Sequence, residues 1–182
     1  MRFIIISGSR NPEGQTAAAC KAFLKGVIDS GSEGSIVYLP SGKYERCRQC
    51  DDNGWGICGS EGRCIIPDDL ESLADEIRGA DVAVFATPVY FGELSESMRA
   101  FLDRLRRVCT HDAGKAGIAG KKAVGICVAG GGGGGAPNCC VSLERVLVTT
   151  GFDVVDLISV RRQNLDSKVV TLEETGKILA GG

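Results

Sequence analysis

The stretch DVAVFATPVYFGELSESMRAFLDRL, residues 81–105, decides the fold class. Its run Val82–Ala86 is continuously apolar, which is the pattern of a strand covered on both faces. The segment Thr87–Gly92 predicts a turn, and after it apolar side chains recur at helical spacing: Leu94, Met98, Phe101, Leu102 and Leu105. A buried strand followed by an amphipathic helix indicates a parallel sheet with helices packed on it.

The same alternation of strand and helix extends outward along the chain. Apolar runs predict four further strands, at residues 3–6, 36–39, 123–128 and 154–160. Right-handed crossovers between parallel strands leave a doubly wound, three-layer α/β sandwich with a five-stranded sheet. We expect one domain over residues 1–182, closed by a short polar helix. Asp68 and Glu71 predict a capping box that opens the helix after the second strand.

Composition excludes several classes of protein. The 182 residues include 21 basic and 23 acidic ones, a net charge of −2 that does not favour nucleic acid as a partner. The apolar runs are far shorter than the roughly 18 residues that suggest a membrane span. The first ten residues, MRFIIISGSR, lack a signal-peptide pattern, so we expect a cytoplasmic protein. Nine cysteines in a cytoplasmic chain are better read as thiols or ligands than as disulfides.

Three strand exits carry unusual loops, and ligands of such sheets bind where the carboxyl ends of the strands meet. Residues 7–16 are rich in Gly, Ser and Thr before a helix, which suits a phosphate group or an ordinary turn. Tyr90 and Phe91 offer a flat ligand surface, although Phe91 could instead pack on the next helix. The run Gly130–Gly135 lets backbone amides approach a ligand closely, and a disordered linker is its weaker interpretation.

The motifs GSRNPEGQT (8–16), CRQC (47–50), GRCIIPDD (62–69) and ATPVYFGELSESMRAFLDRL (86–105), with the glycine run, resemble the NADPH-dependent FMN reductase family, in particular its iron–sulfur flavoproteins. The resemblance covers about residues 1–160. It implies a flavodoxin-like fold with strand order 2-1-3-4-5. It also implies FMN phosphate ligands at Ser9, Arg10, Gln15 and Thr16, and a lining for the flavin ring and ribityl chain from Pro88, Val89, Tyr90, Phe91 and Gly92. Ala129, Gly130 and Gly131 would border the pyrimidine side of the ring.

The resemblance further implies an FMN-dependent oxidoreductase that takes hydride from NADPH or NADH. A small molecule or a protein would accept the electrons, and the chain would form a homodimer or homotetramer. No catalytic side chain is expected, because the flavin N5 carries out the chemistry. The alternatives are an electron-carrying iron–sulfur flavoprotein and a non-catalytic nucleotide-binding domain.

The loop at about residues 40–67 holds Cys47, Cys50, Cys58 and Cys64. Iron–sulfur flavoproteins carry a compact four-cysteine motif here that binds a [4Fe–4S] cluster. This chain departs from that motif, because Asn53 stands where a third closely spaced Cys is expected. We therefore expect unligated thiols, with a [4Fe–4S] cluster or zinc as alternatives.

The remaining cysteines, the histidine and the arginines outside these motifs are expected in the core or at the surface, without a role in the site. Cys20, Cys109 and Cys127 lie in apolar patterns and are expected in the core, and Cys139 and Cys140 are expected as small residues opening a helix. His111 is expected in solvent. A solvated face is the default for the arginines late in the helix that carries Leu94 to Leu105, which are Arg99, Arg104, Arg106 and Arg107, with the phosphates of a nicotinamide cofactor or a subunit contact as alternatives.

Overall fold

A parallel sheet forms the centre of the protein in a computed structural model that describes residues 1–181. Its strands are β1 (Arg2–Ser7), β2 (Glu33–Tyr38), β3 (Val82–Tyr90), β5 (Lys122–Ala129) and β6 (Asp153–Arg161), with a two-residue β4 (Glu93–Leu94) antiparallel to β3. The sheet order is β2-β1-β3-β5-β6. The predicted five-stranded doubly wound order is therefore confirmed, and the insertion of β4 only changes the numbering.

Helices cover both faces of the sheet. They are α1 (Gln15–Asp29), α2 (Ile57–Ser60), α3 (Leu70–Gly79), α4 (Glu96–Cys109), α5 (Ala136–Thr150) and α6 (Leu165–Gly181), with 3-10 turns at Leu39–Ser41 and Arg162–Asn164. One apolar cluster joins the sheet to α3, α4 and α5, and a second joins it to α1 and α6. Within residues 1–181 no helix is long and apolar enough to cross a membrane.

The last helix differs from the short polar helix that the sequence predicts. It has 17 residues and packs directly on α1. A Cβ at Gly26 would collide with the backbone of Glu173, and a Cβ at Gly176 would collide with the backbone of Phe23. These two glycines therefore allow the two helices to approach at backbone distance.

The predicted capping box at the start of α3 is wrong. Asp69 is the N-cap residue and its side chain makes no capping bond. The Asp68 carboxylate instead binds Arg104, and the Glu71 carboxylate accepts the N–H of Cys64 at 2.7 Å. Both acidic side chains hold the preceding cysteine-rich loop, because that loop has few backbone partners of its own.

The predicted turn at Thr87–Gly92 is also shorter than expected. β3 continues through Tyr90, which pairs with Glu93 of β4, so that only Phe91 and Gly92 form the turn. Both residues have a positive φ, 53° and 80° respectively. This is the backbone of a two-residue type I′ hairpin, whose twist matches that of the strands.

Candidate functional site

The loops that follow β1, β3 and β5 meet at one edge of the sheet and line an open cavity of about 590 Å³. Nine of the twelve residues predicted as cofactor ligands line it: Ser9, Gln15, Thr16, Pro88, Val89, Tyr90, Ala129, Gly130 and Gly131. Asn11, Gly14 and the later glycines Gly132, Gly133 and Gly134 also line it; they were not among the twelve, although the loop 7–16 and the run Gly130–Gly135 were predicted to contact a ligand. Their signal was present, because they belong to the same two loops.

A second open cavity, of about 800 Å³, adjoins the first across Val89 and Tyr90. It contains two more of the predicted ligands, Arg10 and Phe91, together with Ser95 and Ser97 at the start of α4. Gly92, the twelfth, lines neither cavity. A Cβ added to Gly135 would lie 2.6 Å from the Cα of Gly92, so these two glycines pack the hairpin against the start of α5.

The loop after β1 is ordered by its own side chains. Asn11 donates its N–H to the Ser9 hydroxyl at 3.3 Å, and the Asn11 side-chain oxygen accepts the N–H of Glu13 at 3.0 Å. The N-cap residue of α1, Gly14, offers no side-chain cap, and α1 has no acidic residue in its first turn. The first N–H groups of α1 therefore face the cavity without a capping acceptor, and the helix dipole favours an anion there.

Gln15 carries an acceptor that the protein does not satisfy. Its Oε1 is buried and has no hydrogen-bond partner, and a Cβ added to Gly130 would lie 3.6 Å from that oxygen. A buried polar atom without a partner costs roughly 1–3 kcal/mol. A hydrogen-bond donor placed between α1 and the glycine loop would remove that cost.

Phe91 is placed in an unusual way at the tip of the hairpin. Its side chain is fully exposed, and its positive φ is costly for a bulky residue. The alternative in which Phe91 packs on the following helix is therefore wrong. Strain of this kind is concentrated at functional sites, and here it projects an aromatic ring beside Tyr90 at the rim of the cavity.

The glycine run is a structured turn and not a linker. Gly133 donates its N–H to Gly130 at 2.8 Å, and Gln163 donates from its side chain to the Gly132 carbonyl at 3.1 Å. Gly131, Gly133 and Gly135 have φ values of 44°, 74° and 81°. Since three residues have left-handed backbone, the turn requires glycine at these positions.

Serine side chains fasten the loop after β1 to the start of α4. The carbonyl of Gly8 accepts hydrogen bonds from the hydroxyls of Ser95 at 3.2 Å and Ser97 at 2.9 Å. Ser95 is also the N-cap of α4 and accepts the N–H of Met98. The cavity edge is therefore fixed to α4, the helix that leads away to the cysteine-rich loop.

All four loop cysteines line one further cavity, of about 20 Å³, between the loop and the end of α4. Cys47, Cys50, Cys58 and Cys64 are partly buried free thiols. Ile57, Ile66, Val108 and the arginines Arg48, Arg104 and Arg107 share the lining. Within residues 1–181 no group of His, Cys, Asp or Glu is close enough to hold a single metal ion. The alternatives of a cluster or zinc required the four thiols to lie together, and the structure places them in one cavity.

Two arginines of α4 hold this loop in place, which corrects the expectation of a solvated face. Arg104 is 1% exposed and binds both oxygens of Asp68, with Nη1···Oδ2 at 2.6 Å and Nη2···Oδ1 at 3.0 Å. It also donates to the Glu45 carbonyl at 3.0 Å. Arg107 donates to the Gly54 carbonyl at 2.6 Å and lies 4.7 Å from the centre of the Trp55 ring. Arg99 remains an exposed partner of Glu93.

In the buried pair of Asp68 and Arg104, the pKa of each group differs from its usual value. Burial opposes the charge of Asp68, but hydrogen bonds from Arg104 and from the N–H groups of Glu45 and Leu70 outweigh it, so the pKa of Asp68 lies below its usual value. Burial also opposes the charge of Arg104, and the bonds to Asp68 and the neighbouring Cys64 thiol outweigh it, so the pKa of Arg104 is raised. Both groups are therefore charged at neutral pH.

The remaining cysteines are core residues. Cys20, Cys109, Cys127, Cys139 and Cys140 are buried. Burial raises the pKa of Cys20 to about 12 and that of Cys109 to about 11. His111 is exposed as expected, and its ring stacks edge-on against Trp55 at 4.8 Å. It therefore belongs to the surroundings of the cysteine loop and not to the cavity at the sheet edge.

Comparison with known proteins gives the family and the fold. The model of the NADPH-dependent FMN reductase family matches residues 1–165. An iron–sulfur flavoprotein of Methanocaldococcus jannaschii is 32% identical over 106 residues, which is 58% of this chain and 52% of that protein. This chain thus spans about half the length of the curated relatives it matches.

Solved structures agree on the architecture. An NAD(P)H:quinone oxidoreductase from Methanothermobacter marburgensis superposes with a TM-score of 0.68 at 19% identity, covering 98% of this chain and 94% of that one. An archaeal flavodoxin superposes with a TM-score of 0.64 at 15% identity, covering 99% and 96%. The fold is flavodoxin-like.

Proposed function

Because this chain belongs to the NADPH-dependent FMN reductase family of oxidoreductases, we propose that it binds FMN in the cavity at the sheet edge and passes electrons from NADPH or NADH to an acceptor. One observation carries the proposal. An uncapped helix N-terminus, an orphaned buried acceptor and a glycine turn without side chains meet around a single cavity, and an aromatic pair borders it.

The start of α1 fits the phosphate of FMN. The N–H groups of Gln15 and Thr16, the Thr16 hydroxyl and the Ser9 hydroxyl surround a pocket with a favourable dipole. Arg10 is exposed in the adjoining cavity and contributes positive charge. The internal hydrogen bonds of Ser9 and Asn11 hold this loop in shape before the ligand arrives, which reduces the entropy lost on binding.

The β3–β4 hairpin and the glycine turn fit the ring. Val89, Tyr90 and Phe91 offer apolar and aromatic surface, and the glycine turn brings backbone close to the ring without a Cβ in the way. When bound, FMN supplies hydride transfer at its N5. Backbone N–H groups near the pyrimidine edge stabilise negative charge on the ring. The side chains of this chain therefore bind and orient, and none is needed to move a proton.

Anaerobic mixing of the FMN-loaded protein with NADPH, and separately with NADH, tests the proposal. We expect rapid loss of the visible flavin absorbance with at least one donor, followed by its return when a quinone is added. A flavin that neither donor reduces would contradict the reductase and favour a carrier that receives electrons from another protein. The physiological acceptor is proposed as a small molecule or a protein, and the assembly as a homodimer or homotetramer.

The cysteine cavity supports a second function, an iron–sulfur flavoprotein that carries electrons between a [4Fe–4S] cluster and FMN. The relatives from Methanocaldococcus jannaschii and Methanosarcina thermophila bear that name. Four thiols that share one cavity supply the ligand number a cluster requires. Tetrahedral zinc needs its sulfurs about 3.8 Å apart, given Zn–S bonds of about 2.3 Å. Within residues 1–181 no three such side chains are close enough to hold a single metal ion, which does not favour zinc.

Iron and acid-labile sulfide assays on anaerobically purified protein test this second function. About four iron and four sulfide per chain would support a [4Fe–4S] cluster. A protein that has FMN but takes up no iron after anaerobic reconstitution would rule it out, and the reductase would stand without it.

A further inference from the structure

Arg104 has a buried donor, its Nε–H, that makes no hydrogen bond of good geometry, although the Cys64 thiol lies beside the guanidinium. Both Nη atoms are used, by Asp68 and by the Glu45 carbonyl. The Nε–H is the only buried side-chain nitrogen within residues 1–181 that has no hydrogen-bond partner. A charged donor buried without an acceptor is more costly than a neutral one, so an acceptor is expected on that side of the guanidinium.

The surroundings of Arg104 identify the acceptor chemically. Arg104 lines the cavity that holds the four loop thiols, and Cys64 neighbours its guanidinium. We propose that Arg104 donates its Nε–H to a sulfur atom of a cluster bound by these cysteines and thereby raises the reduction potential of that cluster. This inference depends on the iron–sulfur function proposed above.

The same arginine fixes the base of the cysteine loop. Asp68 receives Arg104 on both oxygens and also accepts the Glu45 N–H at 2.8 Å, so residues 45 and 68 are joined on either side of the four cysteines. Glu45 is two residues before Cys47, and Asp68 is four residues after Cys64. The guanidinium is thus held rigidly at the closed end of the loop, with its remaining donor free for sulfur.

The expected effect follows from charge. Reduction adds an electron to a cluster that its thiolates already make anionic. A hydrogen bond to sulfur from a charged donor stabilises the reduced form more than the oxidised form, because the sulfurs carry more negative charge after reduction. Arg104 is therefore a positioning residue that also tunes the potential, and loss of its Nε–H lowers the potential.

The substitution Arg104→Lys separates the donor from the charge. Lys keeps a positive charge beside Asp68, but it lacks the planar guanidinium group. Its single ammonium group therefore cannot donate to Asp68, to the Glu45 carbonyl and to a sulfur atom at the same time. Arg99→Lys is the matched control, because Arg99 lies on the same helix, is exposed and pairs only with Glu93. We expect wild-type and Arg99→Lys clusters to share one midpoint in a spectroscopic redox titration, and Arg104→Lys to give a lower midpoint at an unchanged iron content.

Other outcomes are equally informative. An unchanged midpoint in an iron-loaded Arg104→Lys protein would overturn the role of Arg104 and leave the cluster intact. Failure of the wild-type protein to hold iron would overturn the cluster and this inference together, with FMN binding unaffected. If Arg104→Lys does not fold, the double variant Arg104→Met with Asp68→Asn keeps the net charge and removes the donor. The same lower midpoint is expected from it, and an unchanged one overturns the inference.

Discussion

Arg104 and Asp68 form an ion pair with both partners nearly inaccessible to solvent, their side chains being 1% and 3% exposed. They are 36 residues apart in sequence, and the pair ties α4 to the end of the cysteine loop. The same helix begins at Ser95 and Ser97, which bind Gly8 in the second cavity, next to the cavity at the sheet edge. From Ser97 to Arg104 is about 10 Å along a helix axis, so one rigid element supports both sites.

Removing one partner of this ion pair should lower the free energy of unfolding. Asp68→Ala leaves Arg104 charged and buried without its partner, and we expect a loss of about 3–5 kcal/mol in the free energy of unfolding. Urea denaturation measures it. Asp112→Ala, which removes an exposed carboxylate paired with Lys115, is the control and should lower the free energy of unfolding far less. An equal loss in the free energy of unfolding for the two substitutions would show that the buried ion pair stabilises the fold no more than the exposed one.

The ion pair of Arg104 and Asp68 should also make the free energy of unfolding depend on pH in the acidic range. The pKa of Asp68 is lowered in the folded protein, so its contribution is complete above the unfolded value of about 3.9 and is lost as the pH falls through the folded value. We expect the free energy of unfolding to fall more steeply below about pH 4 in the wild type than in Asp68→Asn. Parallel pH profiles for the two proteins would show that Asp68 does not carry this dependence.

Phe91 should matter for the flavin and not for the fold. Phe91→Gly relieves a left-handed backbone that costs roughly 1–2 kcal/mol in an L-residue, while Phe91→Ala keeps that cost. We expect both variants to bind FMN more weakly, by about threefold to tenfold for a stacking contact of roughly 1 kcal/mol. Thermal denaturation should rank the glycine variant above the alanine variant. An unchanged FMN affinity in both variants would show that the flavin ring does not contact Phe91.

Gln15 should show opposite effects with and without the ligand. Gln15→Leu removes the orphaned buried oxygen, so the free energy of unfolding without FMN should stay equal or rise. FMN affinity should fall at the same time, by about tenfold for one lost hydrogen bond of roughly 1.4 kcal/mol. A variant that is destabilised without FMN and binds FMN as tightly as the wild type would refute a ligand-binding role.

The cysteines should divide into two classes by reactivity. Four partly buried thiols lie in the loop and five are in the core, where burial raises the pKa of Cys20 to about 12. We expect about four thiols to react quickly with a disulfide reagent in the native metal-free protein, and nine after denaturation. Cys47→Ser should lower the fast count by one and Cys20→Ala should leave it unchanged. A fast count that falls with Cys20→Ala would contradict the assignment.

The sheet could be predicted from sequence because its signal is local. The runs at Val82–Ala86 and 123–128 are apolar on both faces, and parallel pairing with right-handed crossovers leaves few topologies for such strands. The edge where ligands bind follows from the same rule. Nine predicted ligands meet in one cavity for that reason.

The features that could not be predicted from the sequence depend on contacts between residues that are far apart in the chain. The type I′ turn at Phe91 has a residue that this turn type disfavours, so local preference pointed to a longer loop. Arg104 lies on the apolar stripe of α4, one turn from Phe101 and Val108, which was a readable sign of burial. Its partner Asp68 could not be read from the sequence, because Asp68 also fits a capping box. The shared cavity of the four cysteines is likewise set by how the loop folds back on α4.

The central claim is that the start of α1 binds the phosphate of a flavin whose ring lies under the β3–β4 hairpin. Equilibrium titration of flavin-free protein with FMN and with riboflavin, followed by flavin fluorescence, tests it most directly. The account predicts one FMN per chain and at least tenfold weaker binding of riboflavin, since charge-assisted hydrogen bonds to the phosphate contribute roughly 1.5–3 kcal/mol each. Equal affinity for both flavins, or no binding of either, would contradict it.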